Sequence, residues 1–121
     1  MVTQIRRDLF PHRREEESPL NRRIRLAFRA MRGEMARLAR LIQTLPPDEA
    51  GAGSRGAVFQ ANMHYWTVRS DCNNLAWIIE AFWDEEDDTE IEDVEDRLLA
   101  CENDYGHLIP PDLQYPDVDE N

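Results

Sequence analysis

Residues 24–45, IRLAFRAMRGEMARLARLIQTL, decide the fold of this chain. On an α-helix, residues three and four positions apart lie on one face, so apolar residues at such intervals form a continuous seam. Ser18 followed by Pro19 is a typical helix start, and Pro46-Pro47 would stop the helix. We therefore predict a helix over 19–45, with Gly33 allowing close helix packing. The apolar residues, at intervals of 4 and 3, are Ile24, Phe28, Met31, Met35, Leu38, Ile42 and Leu45.

Two later segments repeat this spacing and predict two more helices, at about 57–83 and 89–105. Thr89 and Glu92 match a capping box at the start of the third helix, and Gly106 is a natural end for it. Short loops between amphipathic helices favour an all-α, antiparallel three-helix bundle: a helical hairpin plus a short third helix, with extended termini. The domains expected are a basic N-terminal arm (1–17), the bundle (18–106) and an acidic C-terminal tail (107–121). The seam residues are Val58, Ala61, Tyr65, Val68, Cys72, Leu75, Ile79 and Phe82, then Ile91, Val94, Leu98, Cys101 and Tyr105.

The second helix carries more aromatic residues than its seam needs. Additional apolar side chains widen the stripe, so we expect a central helix with little surface in water. Trp77 lies off the seam, and an exposed tryptophan is a candidate for partner binding. We name Trp66, Trp77 and Trp83 as such candidates. Cys72 and Cys101 fall on core positions, and His64 is expected to be partly buried.

Charge is divided sharply along the chain, whose net charge is −11. Residues 1–45 hold 11 arginines and 5 acids, whereas residues 46–121 hold 3 arginines and 20 acids, and lysine is absent. Arginines of the first helix could pair with acids of the third (Glu90, Glu92, Asp93, Glu95, Asp96) and select the register of the bundle. Alternatively, the arginine face binds nucleic acid through Arg22, Arg25, Arg29, Arg32, Arg37 and Arg40. In a third interpretation Asp87, Asp88, Glu90 and Asp93 mimic a polyanion and occupy a basic partner.

The terminal segments contain short motif-like stretches. Arg7-Asp8-Leu9-Phe10 resembles the RxLF docking motif by which substrates and inhibitors engage cyclins, a likeness that covers four residues. The resemblance implies a partner contact through Leu9 and Phe10. Leu113 and Tyr115 place similar apolar anchors in the acidic tail.

Signals of catalysis or metal binding are poor. The 3 histidines lie in different regions without metal-ligand spacing, and no glycine-rich phosphate loop is present. We expect no catalytic residue, metal or cofactor, no membrane segment, and a reducing intracellular setting in cytoplasm or nucleus. The expected function is non-enzymatic protein–protein interaction by a small regulatory or accessory factor, in the style of a viral or phage protein. It would form a homo-oligomer, with a dimer as the first choice, and engage an unidentified protein partner.

Overall fold

A computed structural model of the chain describes residues 17–84 and 89–109. Within these ranges the chain forms three α-helices and no strand, which confirms the predicted all-α helical bundle. The helices are α1 (Pro19–Thr44), α2 (Ala57–Trp83) and α3 (Ile91–Tyr105). Single turns of 3₁₀ helix lie at Gly53–Arg55 and Gly106–Leu108.

The helix ends follow local capping chemistry. The Asn21 N–H donates to Ser18 Oγ at 3.1 Å, so Ser18 is the N-cap of α1 as its sequence indicated. The predicted Thr89–Glu92 capping box of α3 is wrong, because the helix begins one residue later. There the Glu90 N–H donates to Asp93 Oδ2 at 2.7 Å. Asp93 and Glu90 therefore have a structural use at this helix start.

All three helices contribute to one core, and consecutive helices run antiparallel. Glu34 of α1 lies near His64 of α2, and Asp71 of α2 contacts Tyr105 of α3. Ile109 packs against the same core, which therefore continues past the expected bundle end at residue 106. The most deeply buried apolar side chains are Ile24, Met31, Val68, Leu75, Ile79, Val94 and Leu98.

Two packing predictions are wrong. No neighbouring atom lies within 4 Å of the position that a side-chain methyl would take at Gly33, because this residue is on the solvent side of α1. The glycine therefore allows no close helix approach. The second helix is also far from fully covered. It buries only one face, through Ala61, Val68, Cys72, Leu75 and Ile79.

Candidate interaction surface on α2

The solvent side of α2 carries its own heptad-spaced stripe, which we call the outer seam: Phe59, Met63, Trp66, Ser70, Asn73 and Trp77. All six residues are exposed, at successive intervals of 4, 3, 4, 3 and 4. At about 100° per residue they form a narrow sector opposite Val68 and Leu75, the centre of the buried face. The exposed fractions of the large side chains are 44% for Phe59, 53% for Met63, 55% for Trp66 and 73% for Trp77. The helix is therefore apolar on two opposite faces.

Two neighbouring side chains contact the Trp66 ring. Tyr65 meets it edge to face, with ring centroids 5.9 Å apart and an interplanar angle of 88°. The Arg69 guanidinium carbon lies 4.9 Å from the Trp66 ring centroid, within cation–π distance. Together these contacts restrict the orientation of the largest side chain in the middle of the outer seam.

The N-terminal end of α2 is fixed by Asp48, which lies in the preceding loop. Asp48 Oδ1 accepts from the Val58 N–H and Oδ2 from the Phe59 N–H, both at 2.9 Å. A carboxylate on these amides satisfies helix donors and complements the positive end of the helix dipole. The chain approaches through Gly56, which is buried against the Asp48 side chain. Asp48 therefore positions the first residue of the outer seam.

At the C-terminal end the outer seam borders a groove between α2 and α3. A cavity of about 360 Å³ lies there, with Trp77 and Ile78 from α2 and Arg97 from α3 in its lining. An adjoining cavity shares Ile78 and Arg97 and adds Asp93 and Ala100. The groove thus combines apolar and polar side chains beside Trp77, with Arg97 and Asp93 among them.

The arginines proposed for nucleic-acid binding do not form a free cationic face. Arg25 makes a bidentate pair with Glu17, at 2.6 and 3.0 Å. Arg37 makes another with Glu34, with both N–O distances 2.8 Å. The Arg32 guanidinium carbon lies 5.2 Å from the Phe28 ring centroid, and Arg22 also has an interaction of its own. Arg29 and Arg40 are exposed.

The ion pair that joins α1 and α3 uses a different acid from those expected. Arg23 contacts both carboxylate oxygens of Glu102, at 2.9 and 2.7 Å, and Glu95 adds to the negative field around it. The hydrogen bonds that Arg23 donates to Glu102 raise the pKa of Arg23. One predicted acid, Glu95, thus lies close to an α1 arginine, whereas Glu102 is the direct partner.

The remaining predicted site residues are dispersed. Trp83 is partly buried and packs against the core, in contrast to Trp66 and Trp77. Leu9, Phe10, Asp87, Asp88, Leu113 and Tyr115 lie outside the described residues, as does the rest of 1–16 and of 110–121. Of the three candidate tryptophans, Trp66 and Trp77 therefore lie on one exposed face.

One polar cluster joins α1 and α2. Glu34 is only 7% exposed, and its two oxygens accept from Arg37. Those hydrogen bonds hold the pKa of Glu34 below its ordinary value against the opposing effect of burial, and His64 and His107 lower it further. His64 itself is exposed, contrary to expectation, with Nε2 3.7 Å from Glu34 Oε2. The cluster consists of a paired acid with nearby bases.

The buried thiols are poorly suited to nucleophilic chemistry. Cys72 and Cys101 are free and buried in the core, as predicted. Burial raises the pKa of Cys72, and burial with the nearby Asp71 raises the pKa of Cys101 to about 11. Since the thiolate is the reactive form, these raised pKa values work against nucleophilic chemistry at either cysteine.

Across residues 17–84 and 89–109, no cluster of histidine, cysteine and acidic side chains could hold a metal ion. No helix in that same part of the chain has the length and hydropathy needed to cross a membrane. No family model, curated protein or solved structure matches the sequence.

The outer seam could have been found in the sequence. Its alternating intervals from Phe59 to Trp77 are as regular as those of the buried seam, but Ser70 and Asn73 interrupt its apolar character. The excess of aromatic residues in α2 was the signal in the sequence that indicated a second apolar face. The contact from Asp48 to the start of α2 had no such signal, because it depends on how the loop folds back.

Proposed function

We propose that this chain is a self-associating helical interaction module, and that a second copy covers the outer seam of α2. The observation that carries the proposal is the heptad-spaced apolar stripe on the side of α2 away from the core. Such spacing is what two helices need to pack along their length. The largest apolar patch on a soluble protein often marks a binding site.

The exposed area of the outer seam is slightly below the size that a stable dimer requires. Large side chains bury about 150–250 Å² each, so the exposed fractions of the four large residues leave about 450 Å² of apolar surface. Homodimer interfaces are about 65% apolar, which makes this area the apolar share of an interface of about 700 Å² per copy. Stable interfaces bury about 800 Å² per partner. The outer seam with its polar neighbours comes close to that area.

The charge distribution also favours a second copy on this face. Each chain has a net charge of −11, so two copies repel one another through most of their surfaces. The positions flanking the outer seam are mostly uncharged, among them Gln60, Asn62, Thr67 and Asn74. Arg69 adds a positive charge beside Trp66. The outer seam is therefore a surface where two such acidic chains can approach.

Nucleic-acid binding has less support. Of the six arginines suggested for it, Arg25 and Arg37 are in bidentate ion pairs and Arg32 lies over an aromatic ring. Arg29 and Arg40 alone would contact about two phosphates, which predicts a weak salt dependence with a slope near −1.8. We propose no residue for an enzymatic function, because the pKa of both thiols is raised and Glu34 is held in an ion pair with Arg37.

The test compares two glutamate variants with matched exposure. Met63→Glu places a charge in the outer seam, and Leu99→Glu places one on α3; the wild-type side chains are 53% and 52% exposed. We expect sedimentation velocity to give a dimer for the wild type and for Leu99→Glu. Met63→Glu should be monomeric, with unchanged far-ultraviolet circular dichroism. A monomeric wild type at all concentrations, or equal loss of the dimer in both variants, would refute the proposal.

A further inference from the structure

We infer that the second copy docks antiparallel along the outer seam, with the two-fold axis at the level of Val68. This inference rests on the self-association proposed above. In that register, facing residues of the two copies lie equally far before and after residue 68. Phe59 faces Trp77, Met63 faces Asn73, and Trp66 faces Ser70. Every position of the outer seam then has a partner, whereas a shift of one heptad leaves Trp77 or Phe59 uncovered.

Side-chain size favours this arrangement over a parallel one. A parallel dimer places each residue opposite its own copy, so two Trp66 rings and two Trp77 rings would each compete for one layer. The antiparallel register sets Trp66 against the small Ser70 of the second copy, which gives the ring a recess to fill. Alternating large and small residues across facing helices is how such interfaces reach close packing.

The ends of the helix favour the same orientation. At its C-terminal end α2 carries Glu80 and Asp84 and turns toward the acidic start of α3. A parallel dimer would place these acidic residues of the two copies side by side. The antiparallel dimer separates the two Asp84 residues by about 48 Å along the helix axis. It also opposes the two helix dipoles.

In the antiparallel dimer, Glu80 and Asp84 of each copy approach the N-terminal end of α2 in the other copy. Arg55, in the 3₁₀ turn just before α2, lies at the end of the helix that approaches Glu80 and Asp84 of the second copy. Asp48 at this end is turned onto the Val58 and Phe59 amides of its own chain. Near the axis the two Arg69 residues share one flank, and each guanidinium is folded over the Trp66 ring of its own chain.

Disulfide trapping tests the register. Met63 and Asn73 are both exposed, so cysteine is tolerated at either position without loss of a buried side chain. In the proposed dimer residue 63 of one copy faces residue 73 of the other, within the short Cβ–Cβ reach of a disulfide. The same positions in a single chain, and residue 63 to residue 63 across the dimer, are about 15 Å apart along the helix. The wild type, with its two buried cysteines, is the oxidation control.

We expect mild oxidation of Met63→Cys/Asn73→Cys to yield a covalent dimer that neither single variant nor the wild type forms. Covalent dimer from Met63→Cys alone would overturn the antiparallel arrangement in favour of a parallel one. A sedimenting dimer that none of the variants traps would overturn the register while leaving self-association standing. A monomeric wild type would instead remove the proposed function, and the docking geometry with it.

Discussion

The loop before α2 and the start of that helix are coupled through Asp48, and this coupling can be measured. The Asp48 carboxylate accepts from two backbone amides, and a methyl group at Gly56 would overlap it. Asp48→Ala removes the cap directly. Gly56→Ala must push the carboxylate away, since the added carbon has no other room. We therefore expect the two substitutions to remove the same interaction.

The magnitude follows from capping energetics. Loss of a carboxylate cap costs about 1 kcal/mol of folding free energy. We expect Asp48→Ala and Gly56→Ala each to cost about that amount, or about 4–8 °C in Tm for a domain of this size. Once Asp48 has been removed, Gly56→Ala should cost almost nothing, because the φ of −68° suits alanine and the unfolded chain loses entropy. The expected coupling is about 1 kcal/mol.

The assay is urea unfolding followed by circular dichroism for the wild type, both single variants and the double variant. All are measured at one protein concentration, because self-association would add to apparent stability. Glu49→Ala serves as the control, since it removes a neighbouring exposed acid. It should change stability little and combine additively with Gly56→Ala. Strict additivity of Asp48→Ala with Gly56→Ala would refute the reasoning.

Two other predictions concern α1. Because the pKa of Glu34 is lowered on folding, its ionised form contributes stability above the unfolded pKa of about 4.3. That contribution is lost as the pH falls through the lower folded value. The stability difference between wild type and Glu34→Gln should therefore shrink as unfolding is measured at progressively lower pH, and a constant difference would contradict this. Gly33→Ala should stabilise the bundle by up to about 1 kcal/mol in thermal melts, because nothing occupies the space of the new methyl; destabilisation would show that the site is constrained.

The fold was largely predictable because its main signals are local. The apolar intervals from Ile24 to Leu45 and from Val58 to Phe82 are long and regular, and Ser18-Pro19 marks a start by chemistry that needs no tertiary contact. The start of α3 was less predictable. Several carboxylates there can serve as caps, and moving the helix start by one residue exchanges Glu92 for Asp93.

The candidate site was harder to predict from the sequence, for a different physical reason. Periodicity shows that α2 has apolar residues around much of its circumference, but it does not show which face the other helices cover. Trp66 and Trp83 look alike in sequence, yet one is exposed and the other packs against the core. The partners of the α1 arginines also depend on tertiary structure, as the pair of Arg23 with Glu102 illustrates.

The two apolar faces of α2 also pose a problem for folding. Rotated by half a turn about its axis, the helix would offer Trp66 and Trp77 to the core in place of Val68 and Leu75. This misfolded alternative would bury the large apolar side chains of the outer seam, and Ser70 and Asn73 with them. Indole rings in a space shaped for aliphatic side chains would overpack the core, at about 1–3 kcal/mol for each insertion. The bulk of the two tryptophans thus disfavours packing of α2 in the rotated orientation.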